Sequence, residues 1–176
     1  MNMSEAFATY ERVRHRLPLV QRDAGCQRFP NLDAIADEID VFLLDAFGVL
    51  NIGESSIPGV PKRVARLQKL GKRVMVVSNA AGSPHAELMN KYARLGYDFA
   101  TEDVITSRKT ILDAVQSEPP RKWGLMATEH LGRSDLELLD ITYLGEDLHS
   151  YDVAEAFLLL GSAFWSEARQ ALLVSS

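Results

Sequence analysis

One cysteine, Cys26, among 176 residues excludes an internal disulfide, and with no Cys-His arrangement near it Cys26 is expected to pack or lie at the surface. The four histidines are scattered and show no zinc-finger spacing. Basic residues are the minority: 19 Lys and Arg stand against 24 Asp and Glu, and the net charge of -5 repels nucleic acid and anionic lipid. Apolar stretches such as Val41 to Leu44 and Ala156 to Leu160 fall far short of the roughly 20 residues that span a bilayer. Met1 to Thr9 lacks a basic segment followed by an apolar run and a small-residue cleavage site, so the expected location is cytoplasmic. Internal repeats and low-complexity tracts are absent too, which sets aside solenoids and tailed layouts.

What is present is alternation. With 47% apolar and 24% charged residues the composition is that of an ordinary folded domain. Phe7, Tyr10, Val13 and Leu17 follow Ser4 at helical spacing, and Leu32, Ile35 and Ile39 follow Asn31, so two amphipathic helices are expected before the first strand. Val41-Phe42-Leu43-Leu44 is a continuous apolar run and predicts a strand buried on both faces, ending at Asp45. A polar loop from Asn51 to Pro61 leads to a helix with Val60, Val64, Leu67 and Leu70 on one face and Gly71 as its stop. A second strand, Arg73 to Val77, ends in Ser78-Asn79; Pro84 then opens a helix with Leu88, Met89, Tyr92 and Leu95 inward and Gly96 as its stop. Val104 to Ser107 makes a third strand before a helix through Ile111 and Val115. This order predicts an α/β fold with a Rossmann-like parallel sheet and right-handed crossovers, whose ligands sit at the carboxyl ends of the strands, where Asp45, Ser78 and Ser107 fall.

Glu118-Pro119-Pro120 is the strongest boundary signal, because consecutive prolines end a helix and stiffen the junction. Residues 1–118, with extra helices in 1–39, are read as a core segment and 119–176 as a second, smaller one. The latter is expected to hold strands at Trp123 to Ala127, Ile141 to Leu144 and Ala156 to Leu160, and helices near His130 to Leu139 and Glu167 to Leu173.

The segment Leu43-Leu44-Asp45-Ala46-Phe47-Gly48-Val49-Leu50, with Ser78-Asn79 ending the next strand, resembles the haloacid dehalogenase superfamily. Gly53-Glu54-Ser55-Ser56-Ile57-Pro58-Gly59-Val60 is similar to the loop that opens the class IIA, NagD-like branch. The resemblance implies a Mg²⁺-dependent hydrolase of a small phosphorylated metabolite that works through an aspartyl-phosphate. It makes Asp45 the nucleophile and a metal ligand, Phe47 a metal ligand through its backbone carbonyl, and Ser78 and Asn79 the phosphate-binding residues. The chemistry suits the residue types: a carboxylate at a strand end can attack phosphorus, and a hard cation neutralises carboxylate and phosphate together. A serine hydroxyl beside backbone N–H groups holds a phosphoryl oxygen without adding charge.

The chain departs from the superfamily pattern at Phe47, where the usual phosphatase has a second aspartate. A phenyl ring supplies no general acid-base help, which is worth roughly 10²- to 10⁴-fold. The later motifs, a lysine and further metal-binding acids, have two readings. Lys109 with Glu146, Asp147 and Asp152 would serve a compact, capless enzyme; alternatively Arg121 to Gly161 begins a class IIA α/β cap and those acids are a solvated loop. On the second reading the chain corresponds to the N-terminal half of a class IIA protein, truncated before the later motifs, and little turnover is expected from it alone. The rival function is a non-catalytic module that keeps the fold and phosphate pocket, and unpaired sheet edges would make a homo-oligomer a third outcome. His85, close to Ser78 in sequence, is expected at a first-turn surface position, and Arg12, Arg14 and Arg16 on a solvated face.

Overall fold

The computed structural model describes residues 2–19, 25–127, 134–163 and 165–176, in two units, Met1–Ala34 and Ile35–Ser176. In the first unit α1 (Met3–Val13) is capped by Asn2 rather than Ser4: the Asn2 side chain accepts the Glu5 N–H and the Glu5 carboxylate accepts the Asn2 N–H, both at 2.9 Å. That reciprocal box satisfies two end donors at once, which a cap at Ser4 would not. Phe7 and Tyr10 on α1 are exposed, and so is Cys26. The second expected helix is a 3₁₀ segment, Leu32–Glu38, in which Ala36 is buried.

In the second unit β1 (Val41–Leu44) is followed by a feature the sequence reading took for loop, the hairpin of β2 (Asn51–Ile52) and β3 (Ser55–Ser56). Its two-residue turn begins at Gly53 with φ +56°, a left-handed conformation that glycine adopts without strain. Then come α2 (Val60–Lys69), β4 (Arg73–Ser78), α3 (His85–Arg94), β5 (Val104–Thr106) and α4 (Ser107–Val115). The strands β1, β4 and β5 pair in parallel, in the order β1-β4-β5, with Leu44 opposite Val76 and Ser78 opposite Thr106. Gly71 and Gly96 close α2 and α3 in left-handed conformations, as expected of helix stops.

Burial corrects two expectations. β1 is not buried on both faces: Phe42 is buried while Val41 and Leu43 are exposed. The alternation runs across the sheet, with Val74, Val76, Val104 and Thr106 buried and Val77 and Ile105 open, so the sheet is covered on one face only. Continuous apolar strands read as two-sided because periodicity carries no information about how many layers cover them. Leu70, expected inward on α2, is also exposed, because α2 ends at Lys69 and the chain has left the helical face by then.

A second parallel sheet is built from β6 (Lys122–Met126), β7 (Asp140–Tyr143) and β8 (Ala156–Leu159), in the order β7-β6-β8. Short α5 (His149–Asp152) precedes β8, and α6 (Glu167–Ser175) follows it. Leu112 and Val115 of α4 share a core with Trp123, Leu125, Ile141, Leu158 and Leu160, while Met126, Leu144 and Tyr151 form another cluster with Leu172 and Leu173 of α6. Of the helix expected over His130 to Leu139, residues 130–133 lie outside those described, and 134–139 form turns. Among the described residues no helix is long and apolar enough to cross a membrane.

Candidate active site

Parallel strands that start together end together, so Asp45 and Ser78 emerge from adjacent strands at one edge of the sheet, with Thr106 and Ser107 on the next strand over. Asp45 is exposed, and one of its carboxylate oxygens accepts the Ala46 N–H at 2.7 Å. The turn after it is tightly bonded. The Ala46 carbonyl receives the N–H groups of Val49, Leu50 and Asn51 at 3.3, 2.8 and 3.1 Å, and Gly48, with φ +83°, donates to the Asn51 carbonyl at 2.8 Å. Asn51 is buried, and its side-chain amide holds the Gly53 carbonyl at 2.8 Å, fastening the hairpin to the turn.

Phe47 sits in that turn with its ring exposed. Its parallel bridge with Asn51 uses the Ala46 and Asn51 carbonyls, so no hydrogen bond of the turn is spent on the Phe47 carbonyl. Asp45 and the Phe47 carbonyl therefore offer oxygen donors on one short turn, the kind a hard divalent cation takes. In number they fall short of a full site, and among the described residues no cluster of three or more His, Cys, Asp or Glu side chains could hold a metal.

Ser78 Oγ accepts the Ala80 N–H at 3.2 Å, which leaves its own proton to donate. Asn79 is exposed, and its carbonyl accepts the Ser107 hydroxyl at 2.9 Å. His85 opens α3, at the expected first-turn position, but is half-buried: both ring nitrogens are buried, and its backbone N–H donates to the Asp135 carboxylate at 2.9 Å. Lys109 is engaged along its own helix by Asp113 at 2.6 Å. Asp147 accepts the Ser150 N–H in the first turn of α5 at 3.0 Å, while Glu146 accepts the Ser166 hydroxyl. A cavity of about 340 Å³ lies on the β5 side, lined by His85, Thr106, Arg108, Lys109 and Asp135 among others; neither Asp45 nor Ser78 lines it, so their site is the open sheet edge.

Two aromatic residues that the helical spacing marked only as core, or not at all, bear on this edge. Tyr92 is buried, and burial first, then the Asp45 charge, push its phenol above the ordinary value of 10. Tyr97 is also buried, and its hydroxyl donates to the Leu50 carbonyl at 2.6 Å, bracing the end of the Asp45 turn. Nothing in the spacing distinguishes a tyrosine that braces a loop from one that fills space.

The family model of the haloacid dehalogenase-like hydrolases matches residues 42–142, more than half of the chain. The chain belongs to this family. It is 26% identical over 130 residues to the chloroplastic phosphoglycolate phosphatase 1A of Arabidopsis thaliana, an alignment that covers 72% of this chain and 36% of that protein. A possible sugar phosphatase of Cytophaga hutchinsonii superposes with a TM-score of 0.71 at 17% identity, over 86% of this chain and 56% of the other. NagD of Escherichia coli K-12 superposes with a TM-score of 0.57 at 15% identity, over 78% and 52%. The fold is thus shared with these proteins, in line with the haloacid dehalogenase resemblance of the opening motifs. The chain spans about half the length of these solved relatives and about a third of the curated one.

Proposed function

We propose that the sheet edge at Asp45 and Ser78 is the phosphoryl-transfer site of a phosphatase acting on a small phosphorylated metabolite. The observation that carries this reading is the exposed Asp45 carboxylate at the end of β1 beside the Ser78 hydroxyl at the end of β4. Asp45 attacks phosphorus to form an aspartyl-phosphate while the bond from phosphorus to the leaving oxygen breaks and that oxygen departs with the electron pair, and Ser78 and the N–H groups of the following loop, with Asn79, hold the phosphoryl oxygens. A divalent cation, Mg²⁺ by the oxygen character of the donors, would be held by Asp45 and the Phe47 carbonyl and would supply charge neutralisation. Phe47 can neither protonate a leaving oxygen nor activate water, so substrates whose leaving group needs no proton are favoured and the aspartyl-phosphate is released slowly. In line with the coverage of its relatives, residues 1–118 serve as the core segment and 119–176 as the beginning of a cap, and the chain alone has little turnover.

Phe47 also favours a second reading, a phosphate-binding module without catalysis. Both readings require the same pocket, which a ³¹P titration of orthophosphate in the presence of Mg²⁺ examines directly. Saturable binding is expected, and Ser78→Ala weakens it by about tenfold or more, the equivalent of one hydrogen bond to a charged group. Binding indifferent to both Ser78→Ala and Asp45→Asn would remove this edge from the account.

A further inference from the structure

Arg108 is the second residue of α4, a place where arginine is ordinarily solvated, yet only 4% of it is exposed. Its three nitrogens reach two different parts of the chain. Nη1 donates to the Ala81 carbonyl at 3.2 Å, Nη2 donates to the Ser134 carbonyl at 2.9 Å, and Nε lies 3.5 Å from Asp135 Oδ2, an ion-pair separation rather than a hydrogen bond. Asp135 turns the same carboxylate oxygen to the His85 N–H and holds a left-handed φ of +68°, a conformation that costs a non-glycine residue energy and persists where the surroundings fix it.

The Ala81 contact completes a series. The Ser107 hydroxyl takes the Asn79 carbonyl at 2.9 Å, the Arg108 N–H takes the Ala80 carbonyl at 3.3 Å, and the Arg108 guanidinium takes the Ala81 carbonyl. Three successive carbonyls of the loop after β4 are thereby drawn toward the start of α4. In a trans peptide the C=O and the N–H of the next residue point opposite ways, so the N–H groups of Ala80, Ala81 and Gly82 are turned away from α4. One of them, Ala80, reaches Ser78 Oγ. A run of N–H groups aimed to one side is an anion-binding arrangement. The loop also touches the segment after β8: a Cβ on Gly82 would stand 3.7 Å from the Leu160 carbonyl oxygen, and one on Gly161 3.7 Å from Gly82 Cα, both ordinary van der Waals contact.

We propose that Arg108 is a positioning residue: it sets the direction of the N–H groups of the loop at 79–82 and locks that loop to the segment at Ser134–Asp135, so that phosphoryl-binding loop and second sheet hold one arrangement. The consequence for phosphate rests on the function proposed above; the mechanical part does not. A substrate that displaces the segment at 134–135 would loosen the phosphoryl loop, and a phosphoryl group that tightens the loop would hold that segment.

Hydrogen exchange by mass spectrometry on the whole chain, in phosphate-free buffer, tests the lock without reference to catalysis. Arg108→Met keeps the length and apolar stem but removes every side-chain donor, leaving the backbone bond to the Ala80 carbonyl. It is expected to raise exchange at least tenfold in the peptides covering 79–82 and 134–139 together, with 73–77 and 122–126 unchanged. Ser107→Ala, which cuts the loop tether alone, raises exchange at 79–82 and leaves 134–139 as it was. A change confined to one of the two peptides in Arg108→Met, or a uniform rise everywhere, would overturn the proposal, the latter by showing that Arg108 serves packing alone. Added orthophosphate with Mg²⁺ then protects 79–82 less in Arg108→Met than in the parent chain. Absence of protection in the parent would overturn the phosphate site while the two-peptide result still judged the lock.

Discussion

Replacing Tyr97 by Phe removes a single hydroxyl, and its cost follows from who else serves the acceptor. The Leu50 carbonyl receives the Tyr97 hydroxyl at 2.6 Å and also the Ile57 N–H at 3.0 Å. When the hydroxyl goes, the buried carbonyl keeps a donor, so the penalty of about 1–3 kcal/mol for stranding a buried polar group does not apply. What is lost is the net value of one neutral hydrogen bond, about 1 kcal/mol. The ring keeps its stacking on Phe99, with centroids 5.4 Å apart and planes 13° from parallel, and its edge contact with Tyr92 at 6.4 Å. Urea unfolding should therefore show a lower midpoint at an unchanged slope.

The pH dependence adds a second check. Burial, and less strongly Tyr92, raise the Tyr97 pKa above 10, so the folded state holds this proton more tightly than the unfolded state. The stability it contributes is complete below pH 10 and is lost as pH rises from there through the folded value. The difference between Tyr97→Phe and the parent chain should shrink above pH 10. A loss of more than about 3 kcal/mol would mean that the Leu50 carbonyl is left unpaired. No loss at all would mean that the hydroxyl does not brace the Asp45 turn.

Three further outcomes follow from packing and charge. Val76→Ala, on the covered face of the first sheet, should cost about 2 kcal/mol, whereas Val77→Ala, on the open face next to it, should stay within about 0.5 kcal/mol; equal costs in thermal unfolding would contradict the one-sided sheet. A Cβ on Gly124, at the middle of β6, would stand 2.7 Å from Phe157 Cδ1 and 3.0 Å from both Ala154 Cβ and Leu144 Cδ2. Gly124→Ala is accordingly expected to destabilise by about 1–3 kcal/mol, and an unchanged melting temperature would count against the packing of the second sheet. The Lys91 ammonium, 2.7 Å from Glu54, lowers the Glu54 pKa first through that hydrogen bond and then through its charge. Its contribution is present above the ordinary carboxyl value and is lost as pH falls through the lowered one, so the Glu54 titration followed by NMR should move up in Lys91→Ala; an unmoved titration would contradict the pairing.

Much of the fold was legible because the sequence marks its own punctuation. Gly71 and Gly96 stop helices where the spacing ends, and runs such as Arg73 to Val77 have no other use than strands. The position of Asp45 at the end of β1 was legible for the same reason. What could not be read was whatever depends on the third dimension. Leu43 and Phe42 are equally apolar, and only the order β1-β4-β5 with one covered face decides which of them is buried. The hairpin of β2 and β3 is two residues per strand, too short for any period to show. Arg108 was invisible because its partners are the carbonyls of Ala81 and Ser134, and backbone acceptors leave no trace in a sequence. The half-burial of His85 was hidden for a related reason, since the segment beside it is at Asp135, fifty residues on.

Transfer of a phosphoryl group to Asp45 can be read directly on the protein. Acetyl phosphate is a suitable donor because its leaving group, acetate, departs without the proton that Phe47 cannot supply. The measurement is an acid quench of the chain after exposure to acetyl phosphate and Mg²⁺, followed by tandem mass spectrometry. One added phosphoryl group on Asp45 is expected, dependent on Mg²⁺ and absent in Asp45→Asn; an unmodified Asp45, or the same modification persisting in Asp45→Asn, would remove Asp45 as the nucleophile.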